Sequence, residues 1–114
     1  MAAARSQIGQ PYVWGGGSIY GPTKGGFDCS GLTLYAVYRG TRKQLAHNDM
    51  AQFRDRRCRH LPFSSRLPGD LIFYPGHVAI ASGGNKLIHA PKPGDHVREA
   101  NVWSGHNGVV ARCW

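Results

Sequence analysis

The apolar pattern changes its period near Leu67, and this change restricts the architecture more than any other feature of the chain. Upstream, Leu32-Thr-Leu-Tyr-Ala-Val-Tyr-Arg39 repeats Leu32, Tyr35, Ala36 and the Arg39 stem at helical spacing. Gly40 and Thr41 are placed to end that helix. Ala2 to Ile8 reads as a shorter helix, stopped by Gly9 and by Pro11, which cannot continue it. Asn48 is a suitable N-cap for a third, Asp49 to Phe53, with an acidic residue in its first turn. Downstream, Asp70 to Tyr74, His77 to Ser82 and Lys86 to Ala90 read as strands. Turns at Leu67-Pro-Gly-Asp70, Pro75-Gly76 and Gly83-Gly84-Asn85 separate them. Glu99 to Trp103 and Gly108 to Cys113 are further strand candidates. Helices followed by antiparallel strands predict an α+β domain. Sixteen glycines and seven prolines predict many loops and exclude a simple helical bundle.

A chain of 114 residues predicts one domain, spanning residues 1–114. Apolar residues make up 41% and charged residues 18%, which excludes general disorder. The net charge is +8, so the surface favours anionic partners such as nucleic acid, acidic lipid or a cell-wall polymer. Zinc-finger spacing, a heptad basic region and an aromatic RNA-binding strand pair are all missing, so no nucleic acid is expected. Arg54, Arg56, Arg57 and Arg59 form a basic run, read first as a solvated face and second as an anion-binding patch. The apolar runs fall far short of the ~20 residues a helical membrane span needs. The first residues lack the plan of a signal peptide and read as a chain joined partway through a helix, so a targeting segment is expected elsewhere. The glycines after Trp14 lack the Lys-Ser/Thr of a phosphate-binding loop.

The cysteines are Cys29, Cys58 and Cys113, with no Cys-x-x-Cys pair. Cys29 stands in a different setting from the other two. Cys58–Cys113 is therefore the natural bridge, and three reduced thiols are the alternative; spacing leaves both open. Cys29 follows Asp28 and opens a predicted helix, whose N-terminal N–H groups and dipole favour a thiolate. Rapid alkylation of Cys29 near neutral pH is the expectation. His77 begins a strand and His89 lies on the next. With a three-residue loop, Ser82 faces Lys86 and His77 faces Pro91. His89 is then the diagonal neighbour of His77 on the same face. One imidazole can orient the other, as a cysteine hydrolase requires. Ala79 and Ala81 share that face and leave room for a helix end, while Val78, Ile80 and Ile88 point into a core. His47 and His106 are the next candidate bases. The six histidines show no His-x-His, no His-x-x-x-His and no adjoining Glu, so no metal site is expected.

Several segments carry a family resemblance: Gln10-Pro-Tyr-Val-Trp-Gly-Gly, Phe27-Asp-Cys-Ser-Gly-Leu32, Leu67-Pro-Gly-Asp-Leu-Ile-Phe-Tyr74, Gly76-His-Val-Ala-Ile80 and Leu87-Ile-His-Ala-Pro91. In order and spacing the chain resembles the NlpC-type bacterial cell-wall peptidases. The resemblance implies a papain-like α+β core with N-terminal helices packed on an antiparallel sheet. It implies a cysteine endopeptidase acting on peptidoglycan stem peptides, most often between D-glutamate and a diamino acid such as diaminopimelate. Cys29 resembles the nucleophile, His77 the general base and acid, and His89 the residue that orients His77. Tyr12 matches the tyrosine near the oxyanion, and Asp28 and Ser30 match pocket positions. No metal or organic cofactor is implied. A monomer acting in a secreted, periplasmic or wall-associated setting is expected. An amidase or acyltransferase of the same fold, or a non-catalytic wall- or nucleic-acid-binding module, are the alternative readings.

Overall fold

The computed structural model describes all of residues 1–114. Three α-helices come first: α1 (Ala2–Ser6), α2 (Cys29–Thr41) and α3 (Asp49–Phe53). Strands β1 (Arg59–Pro62), β2 (Leu71–Tyr74), β3 (His77–Gly83), β4 (Lys86–His89), β5 (Arg98–Asn101) and β6 (Val109–Arg112) follow. They form one antiparallel sheet in the order β1-β6-β2-β3-β4-β5. The α+β reading stands. α3 has the expected bounds, and the Asn48 side chain accepts Ala51 N–H at 2.9 Å. α1 stops two residues short of Ile8. Gly40 and Thr41 prolong α2 instead of ending it, and Arg42 closes it in the left-handed region at φ 65°.

β1 was not expected. Arg59 and His60 are exposed, and Pro62 ends the strand, so the segment shows little of the usual strand pattern. It forms because β6 offers an open edge, on which Leu61 pairs with Val110. The β3–β4 hairpin also differs in detail. Ile80 faces Ile88 as the three-residue loop predicts, but Gly83 faces Lys86, and a register shift falls at Ser82. Gly84 and Asn85 alone make the turn. Gly83 and Gly84 take φ of 129° and 56°, which a β-carbon disfavours.

The sheet has two apolar faces. On one, α2 packs Leu32, Tyr35, Ala36 and Val37 against Leu71, Phe73, Val78, Ile80 and Ile88. The other gathers Ile72, Tyr74, Ala79, Ala81, Leu87 and Val110, with no residue from an α-helix. Ala79 and Ala81 therefore do not receive a helix end. The pleat sends Val78 and Ile80 to the helix and their neighbours to the opposite side. A disulfide joins Cys58 to Cys113, so the bridge is the alternative that holds. It fastens the chain just before β1 to the residue just after β6. Buried Asp70 lies beside β2 and accepts Arg112 Nε at 2.9 Å, Arg112 Nη2 at 2.7 Å and Leu67 N–H at 2.8 Å.

Candidate active site

The start of α2 is fixed by Asp28. One carboxylate oxygen accepts Gly31 N–H at 2.7 Å and lies 2.7 Å from His47 Nε2; the other accepts Gly15 N–H at 3.0 Å. Asp28 thus ties the helix to the glycine loop and to the segment before α3. Gly31 is needed for the same reason. A β-carbon there would overlap the Gly16 carbonyl oxygen, so only glycine lets the loop lie this close to the first turn. Ser30 is buried rather than open to solvent. Its carbonyl accepts Thr33 Oγ1 at 3.1 Å and Gln52 Nε2 at 2.9 Å.

Cys29 is the first residue of α2 and the free thiol of the chain. The backbone N–H groups of Val78 and Ser30 lie near enough to its sulfur to pull the thiol pKa down. Val78 directly follows His77, so the thiol sits at the start of β3. His77 faces Tyr74 across the Pro75-Gly76 turn. His77 Nε2 lies 2.9 Å from His89 Nδ1, with the two rings 76° apart. Cys29, His77 and His89 are thereby brought together from α2, β3 and β4. Tyr12 pairs with Phe27, two residues before Cys29. Burial raises the Tyr12 pKa, and negative charge at Cys29 and Asp28 raises it further, which favours the neutral phenol as a donor.

Burial sets the protonation of the group. It pushes the Cys29 thiol above its ordinary value. The Val78 and Ser30 N–H groups pull it down, and the carboxylates of Asp28 and Asp49 push it up. Burial also lowers His77, against the opposing pull of Asp49. His89 falls to about 4 through burial, then through the charges of His77 and Arg98. These net directions all favour the uncharged forms, a neutral thiol and neutral imidazoles. The thiolate expected from the helix end alone does not follow, because desolvation outweighs the N–H donors. Cys58 and Cys113 are oxidised, so Cys29 is expected to be the single cysteine that iodoacetamide labels in unreduced, folded protein. Its labelling rate should rise with pH through a midpoint above the ordinary thiol value. A midpoint at or below pH 7 would contradict a neutral resting pair.

A cleft of ≈ 430 Å³ opens beside the histidines, bordered by Tyr74, Gly76, His77, His89, Pro91 and Trp103. The sequence reading passed over Trp103 and Tyr74, which stack with centroids 4.2 Å apart. It also passed over the charge of Asp49 and the His47–Asp28 contact. His47 is held by Asp28 at the start of α2, and His60 and His106 are engaged elsewhere. His60 Nε2 lies 2.7 Å from the Phe53 carbonyl, and His106 stacks on Phe63 at 3.9 Å.

A cysteine at a helix start, set against paired histidines on an antiparallel sheet, defines a papain-like domain of the cysteine–histidine class. The chain belongs to the NlpC/P60 family, whose sequence profile matches residues 9–109. It is 40% identical to the peptidoglycan endopeptidase RipA of Mycolicibacterium smegmatis, over 94% of this chain and 24% of that protein. With RipA of Mycobacterium tuberculosis the identity is 42%, over 85% of this chain and 22% of that one. The chain thus spans about a quarter of the length of these relatives. The solved structure of the peptidoglycan hydrolase RipB from Mycobacterium tuberculosis superposes with a TM-score of 0.87 at 37% identity, covering 98% of this chain and 61% of that one. The P60 domain of an antigen of M. avium subspecies paratuberculosis gives 0.86 at 34% identity, covering 98% and 90%.

Proposed function

We propose that residues 1–114 act as a single cysteine endopeptidase domain that hydrolyses peptidoglycan stem peptides at the bond between D-glutamate and a diamino acid. The observation that carries this reading is the His77 Nε2–His89 Nδ1 contact of 2.9 Å, with the Cys29 thiol near the Val78 N–H at the start of β3. Nε2 of His77 is engaged by His89, which leaves Nδ1 to serve Cys29. As the Cys29 sulfur attacks the scissile carbonyl, its proton passes to His77 Nδ1. The oxyanion is held by Cys29 N–H and the Tyr12 hydroxyl, each such donor contributing ~2.7–4 kcal/mol. The C–N bond then breaks, and His77 returns the proton to the leaving amine. Water attacks the thioester, gives its proton to His77, and the released sulfur takes that proton back. Asp28 and Ser30 act by holding the helix start rather than by touching the peptide. The domain needs no cofactor, acts as a monomer and works outside the cytoplasm or at the wall.

The test is mass spectrometry of peptides released from purified peptidoglycan, with Cys29→Ala as the control. Released peptides that begin with the diamino acid are expected from the parent alone, with D-glutamate left at the end of the glycan-bound stub. Release of intact stem peptides would instead indicate an amidase.

The basic run supports an anionic wall polymer as a second partner. Arg54, Arg56 and Arg59 are exposed, and of the four arginines only Arg57 is ion-paired, 2.7 Å from Asp55. Replacing Arg54, Arg56 and Arg59 by Ser should weaken binding to whole walls and flatten its salt dependence, while hydrolysis of a short soluble stem peptide stays within about twofold. Unchanged wall binding across salt concentrations returns these residues to a solvated face.

A further inference from the structure

The segment between β5 and β6 carries Trp103 back across the sheet to the two histidines. Its ring lies 5.1 Å from His89 and 5.9 Å from His77, centroid to centroid. No strand pairs with its backbone. Instead the Tyr74 hydroxyl donates to the Trp103 carbonyl at 2.8 Å and accepts the Trp103 N–H at 3.2 Å. One phenol oxygen therefore satisfies both polar groups of one peptide residue, while the two rings stack at 13°. Tyr74 is itself buried and sits directly opposite His77 in the β2–β3 pairing. Trp103 is thus referenced to the same strand pair that carries His77.

We infer that Tyr74 and Trp103 form a latch that holds the His77–His89 pair in its hydrogen-bonded geometry, Trp103 acting as a positioning residue and Tyr74 as its anchor. The inference rests on the cysteine-peptidase reading and goes beyond it. The His77–His89 bond is made between two side chains at strand ends, the first residue of β3 and the last of β4. His89 Nε2 is buried and has no hydrogen-bond partner, so a single polar contact orients that ring. Apolar packing must supply the remaining constraint, and Trp103 is the large side chain that stacks near both rings. It also borders the cleft that both imidazoles line.

The experiment uses the whole chain with Tyr74→Phe, Trp103→Phe and Trp103→Ala, assayed on a synthetic L-Ala–D-Glu–diaminopimelate stem peptide. Trp103→Ala should lower kcat by about tenfold or more, with KM within about twofold, because a misplaced base costs rate rather than binding. Trp103→Phe should recover most of the loss. Tyr74→Phe keeps the ring and removes both hydrogen bonds, and should cost several-fold in kcat. A second readout does not need turnover: the His77 titration followed by NMR in a Cys29→Ala background. His77 is faced by His89 on β4, Asp49 on α3, Tyr74 on β2 and position 29 on α2. Burial is the main cause that lowers it, so Trp103→Ala should move its midpoint upward. Unchanged kcat in folded Trp103→Ala, a rise in KM alone, or an unmoved His77 midpoint each overturns the latch. If Tyr74→Phe is too unstable to assay, Trp103→Ala decides, since Trp103 is 39% exposed and lies outside both apolar clusters. If the parent leaves the stem peptide uncut, the peptidase reading fails, while the titration still decides the latch.

Discussion

His77→Ala is expected to lose nearly all turnover on a stem peptide, on the order of 10³-fold or more, with folding intact. The loss is large because His77 is assigned every proton transfer: from the thiol, to the leaving amine and from the attacking water. His89→Ala should cost less, about 10–100-fold, since it removes only the group that fixes the His77 ring. His89→Asn should regain part of that loss, because an amide oxygen can accept the His77 N–H and alanine cannot. The pKa of His89, near 4, keeps it uncharged at working pH, so it acts as an acceptor and never as a competing cation. Melting curves for each variant come first, as His89 is buried. Full hydrolysis by folded His77→Ala sinks the assignment of the base. A His89→Ala variant equal to the parent makes His89 an ordinary strand residue.

Replacing Cys58 and Cys113 together by Ser should lower Tm by roughly 15 °C. The bridge closes a segment with a sequence separation of 55 residues, and a loop of that length corresponds to about 4 kcal/mol of lost unfolded-state entropy. For a domain of this size each kcal/mol moves Tm by about 4 °C. Calorimetry of the double variant checks the value, and a shift below about 3 °C refutes it. The catalytic group stands apart from the bridge, so hydrolysis well below the new Tm should be unchanged. Acid should act on a different part of the molecule. His77 and His89 are held below their ordinary value of 6.5, so the unfolded chain binds protons that the folded chain refuses. Their contribution is fully present above pH 6.5 and is lost as pH falls toward about 4.

Elements with strong local signals were legible in the sequence. Asn48 marked its cap, and the Gly83-Gly84-Asn85 loop gave the Ile80–Ile88 register that brings the histidines together. The hidden parts depend on tertiary partners. β1 has few strand-forming residues and exists because β6 needs a neighbour. The side on which α2 packs was misplaced, because alternation separates two faces without saying which one a helix will cover. The thiol pKa was misjudged because a helix end is visible in sequence and its burial is not. Trp103 and Tyr74 are 29 residues apart, and nothing local links them.

The glycine loop has a consequence for how this scaffold can change. The chain between Gly17 and Gly26 leaves and returns at one place. Gly17 N–H donates to Thr23 Oγ1 at 2.8 Å, and Thr23 and Gly26 bond each other in a tight turn. Phe27 N–H is held by the Pro11 carbonyl. The excursion is therefore a side branch whose stem is fixed, with buried Gly21 near Tyr35 of α2 and the Tyr20 side chain turned outward. Tyr20 at that tip is 88% exposed. Added residues there lengthen a closed loop, and doubling its length costs only ~0.6 kcal/mol. A binding peptide or a small folded module grafted beside Tyr20 should leave the position of Cys29 undisturbed, which makes this loop the place where a new specificity can be attached beside an unaltered helix start.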